Sequence, residues 1–330
     1  MSDVVAAVLL TGATLYAVFG GADFGVGFWD LTAGGAERGE EPRALIDHAI
    51  APVWEANHVW LIFCLVVLWT GFPDAFAAVM STLYVPLLAA AVGIVLRGSG
   101  FAFRKVIEHL AGRRLFGAIF AVASVMTPFF MGTVVGAIVS GRVPADGNGD
   151  RWSSWTGLTS ILVGVMFVAS CAYLAAVFLV VDARHNDREH LALYFERRAL
   201  GAGVVTGALA VAGVFVLHAH ARYVFDGLVD EGLPFVIVSV LSGAAAVVLM
   251  LRGARRGVRL LAVLAVAAVV CGGGVAQYPY LLPKSLTVAD AAAPHDTLVW
   301  LLVVFGLAAA IVAPALALLY SLHQRSLLDE

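Results

Sequence analysis

Charged side chains are scarce in this sequence, and their scarcity excludes more than any motif does. Asp, Glu, Lys and Arg supply 13% of 330 residues against 61% hydrophobic residues, and mean hydropathy is +0.93. A soluble domain carries about 25% charged residues, so this composition is that of an integral membrane protein. The net charge of −3 is too small to imply nucleic acid or an acidic substrate. Cysteine is nearly absent. Cys64, Cys171 and Cys271 stand singly in apolar surroundings, without CxxC or Cys/His spacing, which excludes a disulfide framework and a zinc site. They read as small buried hydrophobes. Long polar stretches are missing too, so there is no room for a separate soluble domain, and residues 1–330 read as one polytopic transmembrane domain.

What is present is a series of apolar windows. A helix crosses a bilayer with about 20 mostly apolar residues, and nine such windows are centred near Ala13, Phe63, Pro86, Val125, Val165, Val211, Leu241, Ala265 and Ala309. The first has neither a basic n-region nor a small-residue cleavage site before Asp23, so it is expected to remain as a mature helix. The expected fold is all-α with nine transmembrane helices. Spans 1 to 4 and 5 to 8 would form two four-helix bundles, with the ninth helix peripheral. No internal repeat is visible. Pro86, Pro128 and Pro314 fall inside windows and are expected to kink them. The longest breaks are expected at 30–51, 182–198 and 283–296.

Orientation follows from the basic residues. Sixteen Lys and Arg fall in the loops of one side, including Arg38, Arg43, Arg97, Arg104, Arg113, Arg114, Arg184, Arg252 and Arg259. Only Arg142, Arg151, Arg222 and Lys284 fall on the other. The positive-inside rule then places the N-terminus outside and the C-terminus in the cytoplasm.

Two acids lie clearly within apolar windows, Asp23 in GGADFGVGFW and Glu55 in APVWEANHVWLIF. An acid at the centre of a spanning helix costs about 2.5–3.5 kcal/mol on the insertion scale, so each requires a reason. With helix 1 ending near Trp29 and helix 2 entering near Pro52, Asp23 lies about 9 Å and Glu55 about 5 Å from the cytoplasmic ends. Consecutive helices pack as neighbours, which would bring the two acids together on the side from which protons are drawn. Gly21 and Gly25, flanked by Gly20 and Gly27, form a GxxxG strip for close helix contact. Asp23 therefore has two readings, a bond to a neighbouring helix end or a proton carrier. Glu55 and His58 share a helix face, and an imidazole titrates near neutral pH. Proton transfer or hydrogen bonding is favoured over metal ligation, for which one Glu and one His are too few. Trp54 and Trp60 read as interfacial anchors.

Other polar groups suggest less. Arg97 and Arg104 in RGSGFAFRK bracket two phenylalanines at a helix end, where they could meet a lipid head group, a quinone or an acidic partner. His218 and His220 in LHAHAR suit an exposed interfacial role, and Gln277, Tyr278 and Tyr280 an aromatic belt.

The order GGADFGVGFWDL, IAPVWEANHVWLI, FPDAFA, RGSGFAFR resembles subunit II of the cytochrome bd family of respiratory terminal oxidases. The likeness is specific over the first third of the chain and beyond Arg114 rests on helix count and length. It implies a partner, subunit I, that carries haems b and d or variants of them, oxidises quinol and reduces oxygen to water. It also implies a haem-lacking subunit here, in keeping with the want of paired intramembrane His or Met ligands. A small accessory subunit and a structural quinone belong to the same expectation. Glu55 falls on the family's acid for proton delivery across the subunit interface, with Asp23 and His58 beside it on the pathway. Arg97, Arg104 and Trp54 are the residues nominated for quinone or lipid. Two departures mark a divergent branch: the family's DGN reads Glu55-Ala56-Asn57 followed by His58, and the first acid of its DGFD is Gly20. A proton-coupled secondary transporter is the rival reading, weakened by the absence of a midplane acid cluster and of an inverted repeat. A purely structural oxidase subunit is the third.

Overall fold

The computed structural model describes residues 1–35, 38–50, 54–107, 109–254 and 256–324; of residues 50, 54–57, 105, 110, 313, 316, 317 and 319–324 it describes the backbone alone. The chain is almost wholly helical. Helices α1 (Ser2–Leu15) and α2 (Gly21–Thr32) form one continuous span joined by a π-helical turn at Tyr16–Gly20. Then follow α3 (Glu40–Ile50), α4 (Trp54–Gly71), α5 (Pro73–Thr82), α6 (Tyr84–Val106), α7 (Leu110–Val139), α8 (Leu158–His185) and α9 (Glu189–His220). The last part comprises α10 (Arg222–Val229), α11 (Leu233–Leu251), α12 (Val258–Gln277), a hairpin of β1 (Tyr280–Leu282) and β2 (Leu286–Thr287), and α13 (His295–Gln324).

Among the described residues eight helices are long and apolar enough to cross a membrane, and a ninth crossing arises if α4 and α5 are counted together. These two are bent by 117° at Phe72. The bend has a local cause: Phe72 leaves the helical region at φ −140°, and Pro73 starts the next helix in the first position, where no N–H is needed. The window expected near Phe63 is therefore a broken span rather than a straight one. Three further expectations are corrected. Pro86 kinks nothing, because it stands in the first turn of α6, directly after a break at Leu83. Pro128 and Pro314 do lie inside helices. The predicted break at 30–51 holds the amphipathic helix α3, and α2 runs on to Thr32. The break at 182–198 shrinks to three residues, since the apolar windows continue as charged helical extensions at the ends of α8 and α9.

Helix α8 is central. Its small residues Ala172, Ala175, Ala176 and Ala183 are buried and pack with Leu45 and Ile46 of α3 and with Phe195 of α9. Small side chains allow this many neighbours around one helix. The outward faces of α9 and α13 remain apolar and exposed, as lipid- or partner-facing surfaces do.

Candidate functional site

The polar interior is organised by two pairs of residues with the same spacing. Asp23 and Asp30 lie seven apart on α2; Arg97 and Arg104 lie seven apart on α6. Seven residues are nearly two helical turns, so each pair shares a face. The fold joins them in register. Arg97 Nη2 lies 2.7 Å from Asp23 Oδ1, and Arg104 Nη1 donates to Asp30 Oδ2. The rise in residue number is the same on both sides, so α2 and α6 run parallel.

Both side chains of the upper pair are 2% exposed. Arg97 also donates to the Asp23 carbonyl (3.0 Å) and through Nε to Ser124 Oγ (3.1 Å), and its guanidinium lies between the rings of Phe24 and Phe120 at 5.1 and 5.2 Å. Oδ2 of Asp23 is buried and accepts no hydrogen bond among the described residues. The lower pair is a larger network. Asp30 also takes Arg43 Nε at 2.9 Å, and Arg104 bridges to Asp47 of α3. Arg104 packs over Phe120 at 4.8 Å. This network ties α3 to the ends of α2 and α6, just ahead of the helix that carries Glu55.

Close packing around Asp23 depends on glycine. A Cβ on Gly25 would sit 1.9 Å from the Cys171 carbonyl oxygen of α8, and one on Gly27 would sit 2.2 Å from Ser124 Cβ of α7. Trp29 Nε1 donates to the Ala172 carbonyl at 2.8 Å. The expected small-residue strip is real, but its tightest points are Gly25 and Gly27, facing two different helices; Gly21 is in ordinary contact with Cys171.

His58 is half-buried, its ring edge-on to Phe24 at 5.9 Å. The structure thus brings this face of α4 against the residue that follows Asp23. Glu55, one turn earlier, lies on the backbone of the same helix, and its side chain, like those of Trp54 and Asn57, lies outside the described residues. Neither nominated arginine is turned to lipid: Arg97 is 2% and Arg104 11% exposed, and both are paired with carboxylates. The physical reason is length, since an arginine on α6 can reach past Phe120 to an acid on α2, where a desolvated charge requires a partner. Asp30 and Asp47 were missed at the sequence level, although equal seven-residue spacing on two helices was a signal that could have found Asp30.

His58 packs on an aromatic ring, Met131 Sδ receives the Tyr16 hydroxyl at 3.5 Å, and no group of three or more His, Cys, Asp or Glu gathers among the described residues. At the far end of the spans, His218 contacts Arg222 at 2.6 Å on the exposed surface, and Tyr278 links α1 and α10 through Asp3 and Tyr223.

Fold and site together define a multi-pass α-helical membrane protein with charge pairs sunk between its spans. The chain belongs to the cytochrome bd terminal oxidase subunit II family, whose model matches residues 1–323. It is 26% identical over 223 residues to the cytochrome bd ubiquinol oxidase subunit 2 of Bacillus subtilis, covering 67% of this chain and 64% of that one. It is 28% identical over 234 residues to the cytochrome bd-I ubiquinol oxidase subunit 2 of Escherichia coli K12, covering 68% and 59%. The matched stretch is therefore under two thirds of either relative. The fold is that of a chain in the bd oxidase structure from Geobacillus thermodenitrificans, with a TM-score of 0.80, 24% identity and 98% of both chains covered.

Proposed function

We propose that this chain is the haem-lacking subunit II of a cytochrome bd-type oxidase in a prokaryotic cell membrane. It pairs with a haem-bearing subunit I, with or without a small accessory subunit, in a complex that oxidises quinol and reduces oxygen to water. The haems of the partner supply the redox chemistry. This chain braces the partner and delivers protons at the shared interface. The N-terminus faces outward and the C-terminus the cytoplasm, with spans 1 to 4 and 5 to 8 forming two bundles and the ninth helix peripheral, all within one domain.

Glu55 is the entry acid, with His58 and Asp23 continuing the path. The observation that supports this reading is the packing of His58 on Phe24, which brings α4 against the residue next to Asp23. An acid in an apolar wall can hold a proton and release it to the next acceptor as long as it remains titratable. A quinone seat at Arg97 and Arg104 gains no support from this geometry, because both are paired with carboxylates. The Asp23–Arg97 pair favours a second reading for Asp23 alone, a structural tie.

The test is turnover of the purified complex. Glu55→Gln should lower oxygen consumption by roughly 100-fold, the low end for a positioned proton-transfer group, with haem content unchanged. Glu55→Asp should keep most activity. Normal respiration by Glu55→Gln would remove the relay.

A further inference from the structure

A second basic site lies away from the Asp23–Arg97 and Asp30–Arg104 pairs, where the ends of α8, α11 and α12 converge. Helix α11 stops at a Schellman turn: Gly253 takes φ +68°, its N–H bonds to Met250 O at 2.9 Å, and the Ala254 N–H bonds to Leu249 O at 2.9 Å. Arg252 and Arg256 stand on the short connection, Gly257 at φ +90° precedes α12, and Arg259 follows in the first turn of that helix. Beside it a cleft of about 40 Å³ is lined by Arg184, Arg259, Val177, Val180 and Met250. A single water needs about 10–15 Å³ by this measure, so the cleft is of the size for one oxyanion group, not an acyl chain.

Of the two arginines that line the cleft, Arg184 is compensated. Arg184 gives Nη2 to Glu196 at 2.9 Å, and Glu189 stands 3.9 Å from its Nε, which is buried and makes no hydrogen bond among the described residues. These carboxylates neutralise Arg184. Among the described residues Arg252, Arg256 and Arg259 have no carboxylate partner, and Arg259 is held over the Phe178 ring at 4.0 Å. Stacking of this kind fixes a guanidinium with its donor edge free. Leu251 and Leu260, 70% and 63% exposed, flank the connection, so the charged mouth opens beside apolar helix surface at the end of the spans.

We propose that this mouth is a seat for the phosphate of an anionic phospholipid, its acyl chains lying along the exposed leucines. The adjoining apolar surface favours a lipid over free phosphate. This inference stands independently of the oxidase reading.

Native mass spectrometry of the tagged chain with its co-purifying partners tests it, with added phosphatidylglycerol, phosphatidylcholine or inorganic phosphate. Phosphatidylglycerol should bind in preference to phosphatidylcholine. At about fivefold per arginine near a charged surface, Arg252→Gln with Arg256→Gln should weaken phosphatidylglycerol roughly 30-fold and leave phosphatidylcholine unchanged. Both side chains are exposed, so folding should be intact. The same change at Arg113 and Arg114, exposed near the start of α7, should have no such effect. Arg259→Lys, which keeps charge but loses the stacked fork, should weaken phosphatidylglycerol by a smaller factor. Equal retention of the two lipids, equal loss in the Arg113/Arg114 control, or displacement of the lipid by an equal concentration of inorganic phosphate would each overturn the assignment.

Discussion

Asp23 shows what a single buried acid can be required to do. Its Oδ1 is 2.7 Å from Arg97, while Oδ2 accepts nothing among the described residues. Removing one partner of a buried ion pair costs about 3–5 kcal/mol, because the remaining charge is left without a counter-ion. Asp23→Asn is therefore expected to lower thermal stability and haem per assembled complex, read by a melting scan and by haem absorbance. A variant that assembles normally but turns over slowly would instead make Asp23 a proton carrier. The acid and its burial were legible in the sequence from its place in an apolar window. Its partner was not, because 74 residues separate Asp23 from Arg97 and they meet only through the packing of α2 and α6 against α7.

At the scale of the element, α2 works because it is thin on two sides. The glycine strip could be read from sequence, but not which glycines bear the contacts, since that depends on the rotation of the helix. The π-helical turn at Tyr16–Gly20 sits just before α2, and such a turn admits an extra residue and re-aims everything after it. Nothing in YAVFG announces it. The contacts separate Gly25 from Gly21. A Cβ at Gly25 meets backbone at 1.9 Å, whereas one at Gly21 meets the Cys171 Sγ at 3.5 Å. Gly25→Ala should reduce folded yield and melting temperature, with overpacking costs of about 1–3 kcal/mol or more. Gly21→Ala should be tolerated, and equal behaviour of the two in detergent melts would refute the close contact.

For the whole molecule, the register of Asp23 with Arg97 and of Asp30 with Arg104 makes α2 and α6 parallel. The chain between them has therefore returned to its starting side, and among the described residues the stretch long enough for that is the bent pair α4 and α5. The unpartnered apolar faces of α9 and α13 bear on the complex. A reduced-minus-oxidised spectrum of what co-purifies with the tagged chain should show haem bands together with a larger membrane protein, and the isolated chain should be colourless. Haem retained by the isolated chain would overturn the haem-lacking assignment.

Composition and periodicity determined that this is a helical membrane protein and where its apolar windows fall, and the order of motifs in its first third carried the resemblance to its family. Burial of apolar length is a local property, so sequence carries it without help. Only the tertiary structure decided that Arg97 and Arg104 face inward to Asp23 and Asp30, that α3 is clamped by Asp47, and that the second span is broken. Those outcomes depend on helix rotation, on register between distant helices and on the length of arginine side chains, and none of the three is written within a window of neighbouring residues.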